Sequence, residues 1–193
     1  TVYGPDEQAH LAQSSERLAS RVSPYWKAMT SGGSTGRPKI IVDHQPGTYD
    51  PAVGMRRQRP GGTVLNPGPL YHNAPFNGIH QALFVGCQVV DMVKFDAQRA
   101  LELIERHRVH WVNLVPTMMH RIWRLPDEVR LRFDLSSLTT VWHMASACPQ
   151  WLKQAWIDWL GAERIYELYG GTERQGSTLL SGTEWLAHPG SVG

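Results

Sequence analysis

Residues 31–39 read Ser-Gly-Gly-Ser-Thr-Gly-Arg-Pro-Lys. Gly32, Gly33 and Gly36 let the backbone come close to a ligand and gather N–H groups into one concavity, which suits phosphate oxygens. Ser31, Ser34 and Thr35 add hydroxyl donors, and Lys39 adds a point positive charge. A Walker loop would set its Lys directly after the last Gly and open a helix with Ser or Thr. Here Pro38 intervenes, and Ile40, Ile41 and Val42 follow, β-branched residues that favour a strand. The loop is expected to join two strands, to gain little from a helix dipole, and to stay mobile until a polyphosphate organises it. A second cluster, Tyr-Glu-Leu-Tyr-Gly-Gly-Thr-Glu, covers residues 166–173. Gly170 and Gly171 would admit a flat group to the backbone, with Tyr169 stacked on it. Thr172 and Glu173 follow with a hydroxyl suited to a phosphate and a carboxylate suited to its Mg²⁺.

Such groups need elements to hold them. Strands are expected at Tyr25–Thr30 and Ile40–Asp43, on either side of the glycine-rich loop, and at Thr63–Asn66. Ala74–Val85 reads as a helix and Cys87–Val93 as a strand. Asp96 can cap a helix whose Ala97, Ala100, Leu101 and Ile104 form one apolar face. His110–Val115 is a buried-strand candidate ended by Pro116, and Thr139–Ala145 is another strand. Pro149 can open a helix at its first position, lined on one side by Trp151, Leu152, Ala155, Trp156, Trp159 and Leu160 and stopped by Gly161. Arg164–Leu168 returns as a strand. Strands separated by helices of this length predict an α/β fold with a mainly parallel sheet, whose ligands gather beyond the strand ends.

Composition narrows the function. The chain has 193 residues, one domain or part of a larger one, with 41% hydrophobic residues and 19% charged, enough for a real core. Nineteen Lys plus Arg against 17 Asp plus Glu leave a net charge of +2, too balanced for a dedicated nucleic-acid binder. The Trp-rich helix face is better explained as core. Cys87 and Cys148 have no Cys-x-x-Cys spacing, which speaks against a zinc knuckle or a disulfide scaffold and for a reducing, cytoplasmic setting. Cys148 reads as a packing residue rather than a nucleophile. The longest apolar stretch, Ala82–Val93, is interrupted and too short to span a bilayer, and no signal peptide is visible. The chain lacks an initiator Met and ends on Gly-Ser-Val-Gly, so both ends look cut.

The run Thr-Ser-Gly-Gly-Ser-Thr-Gly-Arg-Pro-Lys resembles the phosphate loop of the adenylate-forming (ANL) superfamily, which includes acyl-CoA synthetases, luciferases and peptide-synthetase adenylation domains. Family loops often carry another Gly where this chain has Ile40. Residues 169–173 are similar to the superfamily's Tyr-Gly-x-Thr-Glu motif. The resemblance implies that Tyr169 packs on adenine, Thr172 contacts phosphate and Glu173 holds Mg²⁺. In family members the strand corresponding to residues 139–145 runs into a small-residue turn, typically Gly-Gly-Ala-Pro or Gly-Ser-Ala-Pro, against the adenine; here Ala145, Ser146, Ala147 and Cys148 precede Pro149, and small side chains leave room for a planar base. Pro69-Leu-Tyr-His-Asn-Ala-Pro-Phe76 resembles the Pro-Leu-x-His segment whose histidine, here His72, borders the carboxylate and the acyl tunnel. Val112–Thr117 resembles a strand end lining the acyl pocket, and a plain buried strand is equally compatible. Amino-acid-activating relatives carry an Asp near His72. No acidic residue lies between Thr63 and Asp91, which argues for an acid without an α-amine. Among subfamilies the chain most resembles bacterial bile-acid and fatty-acid CoA ligases.

The implied chemistry has two steps, carboxylate attack on the α-phosphate of ATP and then transfer of the acyl group to CoA. The resemblance spans essentially all 193 residues but only the central part of the family's large domain. The ribose-binding Asp, the hinge and the small C-terminal domain with its catalytic Lys have no counterpart, so this stretch alone is expected to be inactive. Surface meant for those missing regions is expected to be exposed and able to self-associate. The alternative is a nucleotide-binding fragment or pseudoenzyme without ligase activity.

Overall fold

Runs rich in Val, Ile, Trp and Thr become the strands of a six-stranded sheet, and the segments between them become its covering helices. The structure, a computed structural model, describes residues 16, 19, 21–31, 36–50 and 57–193. A separate antiparallel hairpin, β1 (Lys27–Thr30) and β2 (Ile40–Asp43), comes first. Then follow β3 (Thr63–Asn66), helix α1 (Asn73–Phe84), β4 (Gln88–Asp91), α2 (Ala97–Arg106), β5 (Trp111–Leu114), α3 (Pro116–Trp123) and the short α4 (Asp127–Arg130). The chain continues through β6 (Thr140–His143), α5 (Gln150–Leu160), a 3₁₀ turn at Ala162–Arg164, β7 (Ile165–Gly170), β8 (Ser177–Ser181) and α6 (Gly182–Ala187).

The spatial order is β4-β3-β5-β6-β7-β8, with every neighbouring pair parallel except β7–β8. From β3 the chain steps to β4 on one side, then crosses to β5 on the other and continues outward. Right-handed crossovers put connections of opposite direction on opposite faces of the sheet. The two apolar clusters follow that rule. Val64, Trp111, Trp142 and Tyr166 face α1, through Ala82, and Leu65, Val112, Val141 and Ile165 meet α2, α3 and α5. Gly78 lets α1 lie close on β5, because a methyl group there would come within 3.2 Å of the Trp111 ring. Each fully buried Leu, Ile or Val contributes about 1.5–3 kcal/mol relative to exposure. The direction of travel reverses between β3 and β5, and ligands of such sheets bind beyond the strand ends at that switch point.

The α/β expectation holds, with local corrections. Pro149 caps α5 instead of opening it, and Gln150 is the first helical residue. Trp151 does not line the buried side of α5 but is 53% exposed, and Lys153 goes inside in its stead. Pro116 ends β5 and also starts α3, since its missing N–H costs nothing in a first turn. Asp96 caps α2 by accepting from the Arg99 backbone N–H at 2.8 Å, and Gly161 at φ +97° stops α5, both as expected. None of the helices among the described residues is long and apolar enough to cross a membrane.

Candidate active site

The strands β1 and β2 flank the glycine-rich segment in the chain and pair antiparallel, the strand-to-strand connection that the sequence leads one to expect. Pairing of Thr30 with Ile40 brings the loop ends together. Ser31 N–H donates to the Lys39 carbonyl at 2.9 Å, and Lys39 N–H donates to Ser31 Oγ at 3.0 Å, closing the loop at its neck. Gly36 has φ +145°, a conformation L side chains rarely adopt, and it is exposed together with Lys39. Gly32, Gly33, Ser34 and Thr35 lie outside the described residues.

The base of the hairpin is anchored at Asp43. Its carboxylate accepts from Trp26 Nε1 at 2.7 Å and from the Gln45 N–H at 3.2 Å. Arg174 Nη1 donates to both of its oxygens, at 3.1 and 3.0 Å. Burial raises the carboxyl's pKa, but the bonds from Trp26, Arg174 and Gln45 outweigh it and hold it below the usual carboxylate range. Lys27 Nζ lies 3.9 Å from Asp43 and donates to Asn77 Oδ1 at 3.0 Å and to Asn73 Oδ1, the opening residue of α1. The hairpin is thereby tied to the residue after Glu173 and to the residue after His72. Segments far apart in the chain meet at its base.

The proposed purine-facing residues stand at the C-terminal ends of β6 and β7. These strands pair in parallel as far as His143 opposite Glu167; two residues on, Ala145 has left β6 while Tyr169 is still in β7, paired with Thr178 of β8. Tyr169 is 62% exposed and offers its ring to solvent. Ser146 and Ala147 are exposed in the turn beyond Ala145, while Cys148 is half-buried against the core. Burial, then the charge of Glu167, pushes the Cys148 thiol up to about 11, so it stays protonated at neutral pH and is no nucleophile. Gly170 closes a tight β7–β8 hairpin, where a Cβ would approach the Gly176 carbonyl to 3.2 Å. Gly171 and Thr172 follow half-buried, and Glu173 is exposed.

His72 is the N-cap of α1, exposed, its ring 4.7 Å from that of Tyr71. It sits beyond the C-terminal end of β3, and Val112–Thr117 runs off the end of β5, so both border the switch point. Glu173 supplies a single carboxylate, and no group of three or more His, Cys, Asp or Glu able to hold a metal occurs among the described residues. That donor set fits Mg²⁺, which usually takes one or two carboxylates and completes its shell with substrate phosphates and water.

Sequence reasoning missed a polar group behind the C-terminal ends of β6 and β7. Lys153 on α5 donates to Glu167 Oε2 on β7 at 2.6 Å, and His143 stands next to Glu167 on β6. It also missed Asp43 and Arg174. The signal available was a lysine in the midst of an otherwise apolar helix face.

The sequence profile of the family described as AMP-binding enzyme matches residues 26–193. The 4-coumarate–CoA ligase CCL1 of Humulus lupulus is 30% identical over 151 residues, covering 74% of this chain and 27% of that protein. The inhibitor-bound N-terminal domain of FACL13 from Mycobacterium tuberculosis superposes with a TM-score of 0.76 at 21% identity, over 98% of this chain and 49% of that one. The O-succinylbenzoate coenzyme A synthetase of Bacillus subtilis, solved with ATP and a magnesium ion, gives a TM-score of 0.66 at 22% identity, over 86% of this chain and 34% of that one. The chain spans about a quarter of the length of the curated relatives it matches. A profile match over most of the chain, together with both glycine-bearing motifs in their expected order, assigns this protein to the AMP-binding enzyme family of the adenylate-forming superfamily.

Proposed function

We propose that this chain forms the nucleotide- and acid-binding part of an acyl-CoA synthetase, which activates a carboxylic acid with ATP and passes the acyl group to CoA. The observation that carries this reading is the contact of Arg174 with Asp43, which brings the segment bearing Thr172 and Glu173 to the hairpin bearing the phosphate loop. In the first step a carboxylate oxygen bonds to the α-phosphorus of ATP and pyrophosphate leaves. In the second the CoA thiolate bonds to the acyl carbon and AMP leaves. Lys39 and the N–H groups of residues 31–36 meet the charge that builds on the departing pyrophosphate, so their effect is electrostatic and positional. Bound Mg²⁺ would neutralise phosphate charge, with Glu173 as the protein's carboxylate toward it. Tyr169, Ser146, Ala147, Cys148, Gly170 and Gly171 receive adenine, and His72 borders the carboxylate.

The acid is one without an α-amine. Asp91, the first carboxylate after Thr63, is engaged by Asn66 Nδ2 at 2.6 Å, so nothing acidic is free near His72 in that stretch to pair with an ammonium group. The kinship of the relatives to 4-coumarate and medium-chain acyl-CoA ligases supports a hydrophobic organic acid. A bile acid or fatty acid fits that description. The test is ATP–pyrophosphate exchange by the full-length protein across a carboxylate panel. Lys39→Ala and Glu173→Gln should each lower exchange by about two orders of magnitude or more. Near-normal exchange in either variant would overturn its assigned role.

A further inference from the structure

The buried ion pair between Lys153 and Glu167 has a place in the fold that stability alone does not explain. The Lys153 side chain is 1% exposed and that of Glu167 is 10% exposed, with Nζ and Oε2 2.6 Å apart. Lys153 is the fourth residue of α5, near the positive end of the helix dipole, where a cation is unfavourable. Its Nζ lies 5.1 Å from the centre of the Trp185 ring, a further cost-limiting contact for a charge held away from water. A buried ion pair generally adds no stability over apolar side chains of the same size, because desolvation of both charges cancels their attraction. What it does fix is direction, since a short charged hydrogen bond has one geometry while apolar side chains slide.

The two ends of this bond belong to the two segments that face the purine. Lys153 ends the first turn of the helix that follows Ser146, Ala147 and Cys148, and Glu167 precedes Tyr169 by two residues on β7. The sheet register sets Glu167 beside His143, the last residue of β6 before the same turn. Glu167's charge also reaches Cys148 within that turn. We propose that Lys153, acting through Glu167, is a positioning residue that fixes the 145–149 turn against Tyr169 and so shapes the slot for the nucleotide's adenine. The inference rests on the ligase reading for the identity of the nucleotide.

The experiment uses the full-length protein and three variants. In Lys153→Met/Glu167→Leu both charges are replaced by apolar groups of similar volume, and Lys153→Arg keeps the pair. Leu152→Ala loosens the same helix without touching the pair. AMP affinity is read by calorimetry, and the KM values for ATP and for the acid by pyrophosphate exchange. The double variant is expected to weaken AMP binding and raise the ATP KM about tenfold while the acid KM stays within about twofold, and Lys153→Arg is expected to remain close to the unaltered protein. Leu152→Ala should lower the melting temperature and leave the ATP KM in place. Unchanged AMP affinity in a folded double variant overturns the proposal, and so does an ATP KM raised equally by Leu152→Ala. Should the double variant not fold, Glu167→Gln takes its place: weaker AMP binding and a raised ATP KM at an unchanged acid KM support the proposal, and an unchanged AMP affinity overturns it. AMP binding that depends on the pair, without exchange on any acid, would sink the ligase reading and leave the positioning role standing.

Discussion

Arg174 and Asp43, 131 positions apart in the chain, share a carboxylate–guanidinium contact that joins the β7–β8 turn to the base of the phosphate-loop hairpin. Their environments differ. Asp43 is buried and receives bonds from Trp26, Gln45 and Arg174, whereas the Arg174 side chain is half exposed. Removing Asp43 leaves the Trp26 indole N–H without its acceptor and takes the counter-charge from Lys27, so Asp43→Ala should cost on the order of 2–4 kcal/mol. Arg174→Ala should cost only about 1 kcal/mol, as expected for a partly exposed pair. Exchange activity should nevertheless fall about tenfold in Arg174→Ala, because Thr172 and Glu173 lose their tether to the hairpin. Chemical denaturation and pyrophosphate exchange on the same samples test this, and equal losses of stability in the two variants would refute it.

The Asp43 carboxyl also carries a pH signature. Its pKa is lowered in the fold, so its contribution is complete above the unfolded value near 3.8 and is lost as pH falls through the lower folded value. Hairpin anchoring should therefore be unaffected from neutrality down to about pH 4. Tryptophan fluorescence of Trp26 followed through acid titration should change only below that range. A transition between pH 5 and 7 that disappears in Asp43→Asn would show the anchor to titrate elsewhere.

Ala145 occupies the left-handed region at φ +78°, in the turn that follows β6. A Cβ in that conformation costs about 1–2 kcal/mol. Glycine would relieve the strain but lose more entropy on folding, which returns roughly 0.5–1 kcal/mol. Ala145→Gly is thus expected to stabilise the protein by up to about 1 kcal/mol, read as a shift in the denaturation midpoint. A lower midpoint would mean that the alanine methyl makes contacts worth more than the strain.

The local grammar of the chain was readable where each signal acts within a few residues. Ile40–Asp43 and Thr63–Asn66 are strands because β-branched runs sit between Gly and Pro punctuation, and Asp96 and Gly161 bound their helices through their own backbone contacts. The family was legible because two glycine-bearing motifs keep their side chains in a fixed order. Lys153 was not legible, because the groups that make its burial tolerable, Glu167 and the Trp185 ring, stand on different elements. Trp151 and Lys153 exchange their expected places for that reason. The Arg174–Asp43 contact was equally hidden, since nothing within either segment announces a partner on the other. Pro116 carried two meanings, strand end and helix start, and only the first was apparent from the residues before it.

His143 supplies a sharper test of the buried polar group behind the ends of β6 and β7. Its ring is fully buried, and neither nitrogen has a hydrogen-bond partner among the described residues. Burial, assisted by the nearby Lys153 charge, lowers its pKa to about 3, so it is neutral in the fold. The unfolded chain takes up a proton near pH 6.5 and the folded one does not until about 3, so stability is unaffected above 6.5 and declines as pH falls between those values. Below about pH 5.5 the decline approaches 1.4 kcal/mol per pH unit from this one group, and reaches a few kcal/mol in total. Acidic side chains add their own dependence, but they do so equally in a His143→Leu variant. The difference in unfolding free energy between the two proteins, measured at pH 7.5 and again at pH 4.5, isolates the imidazole, and it should shift in favour of the variant on acidification. A difference that stays constant across that interval would mean that the imidazole gains its proton in the fold as readily as in the unfolded chain, and that the Lys153–Glu167 pair has a charged neighbour.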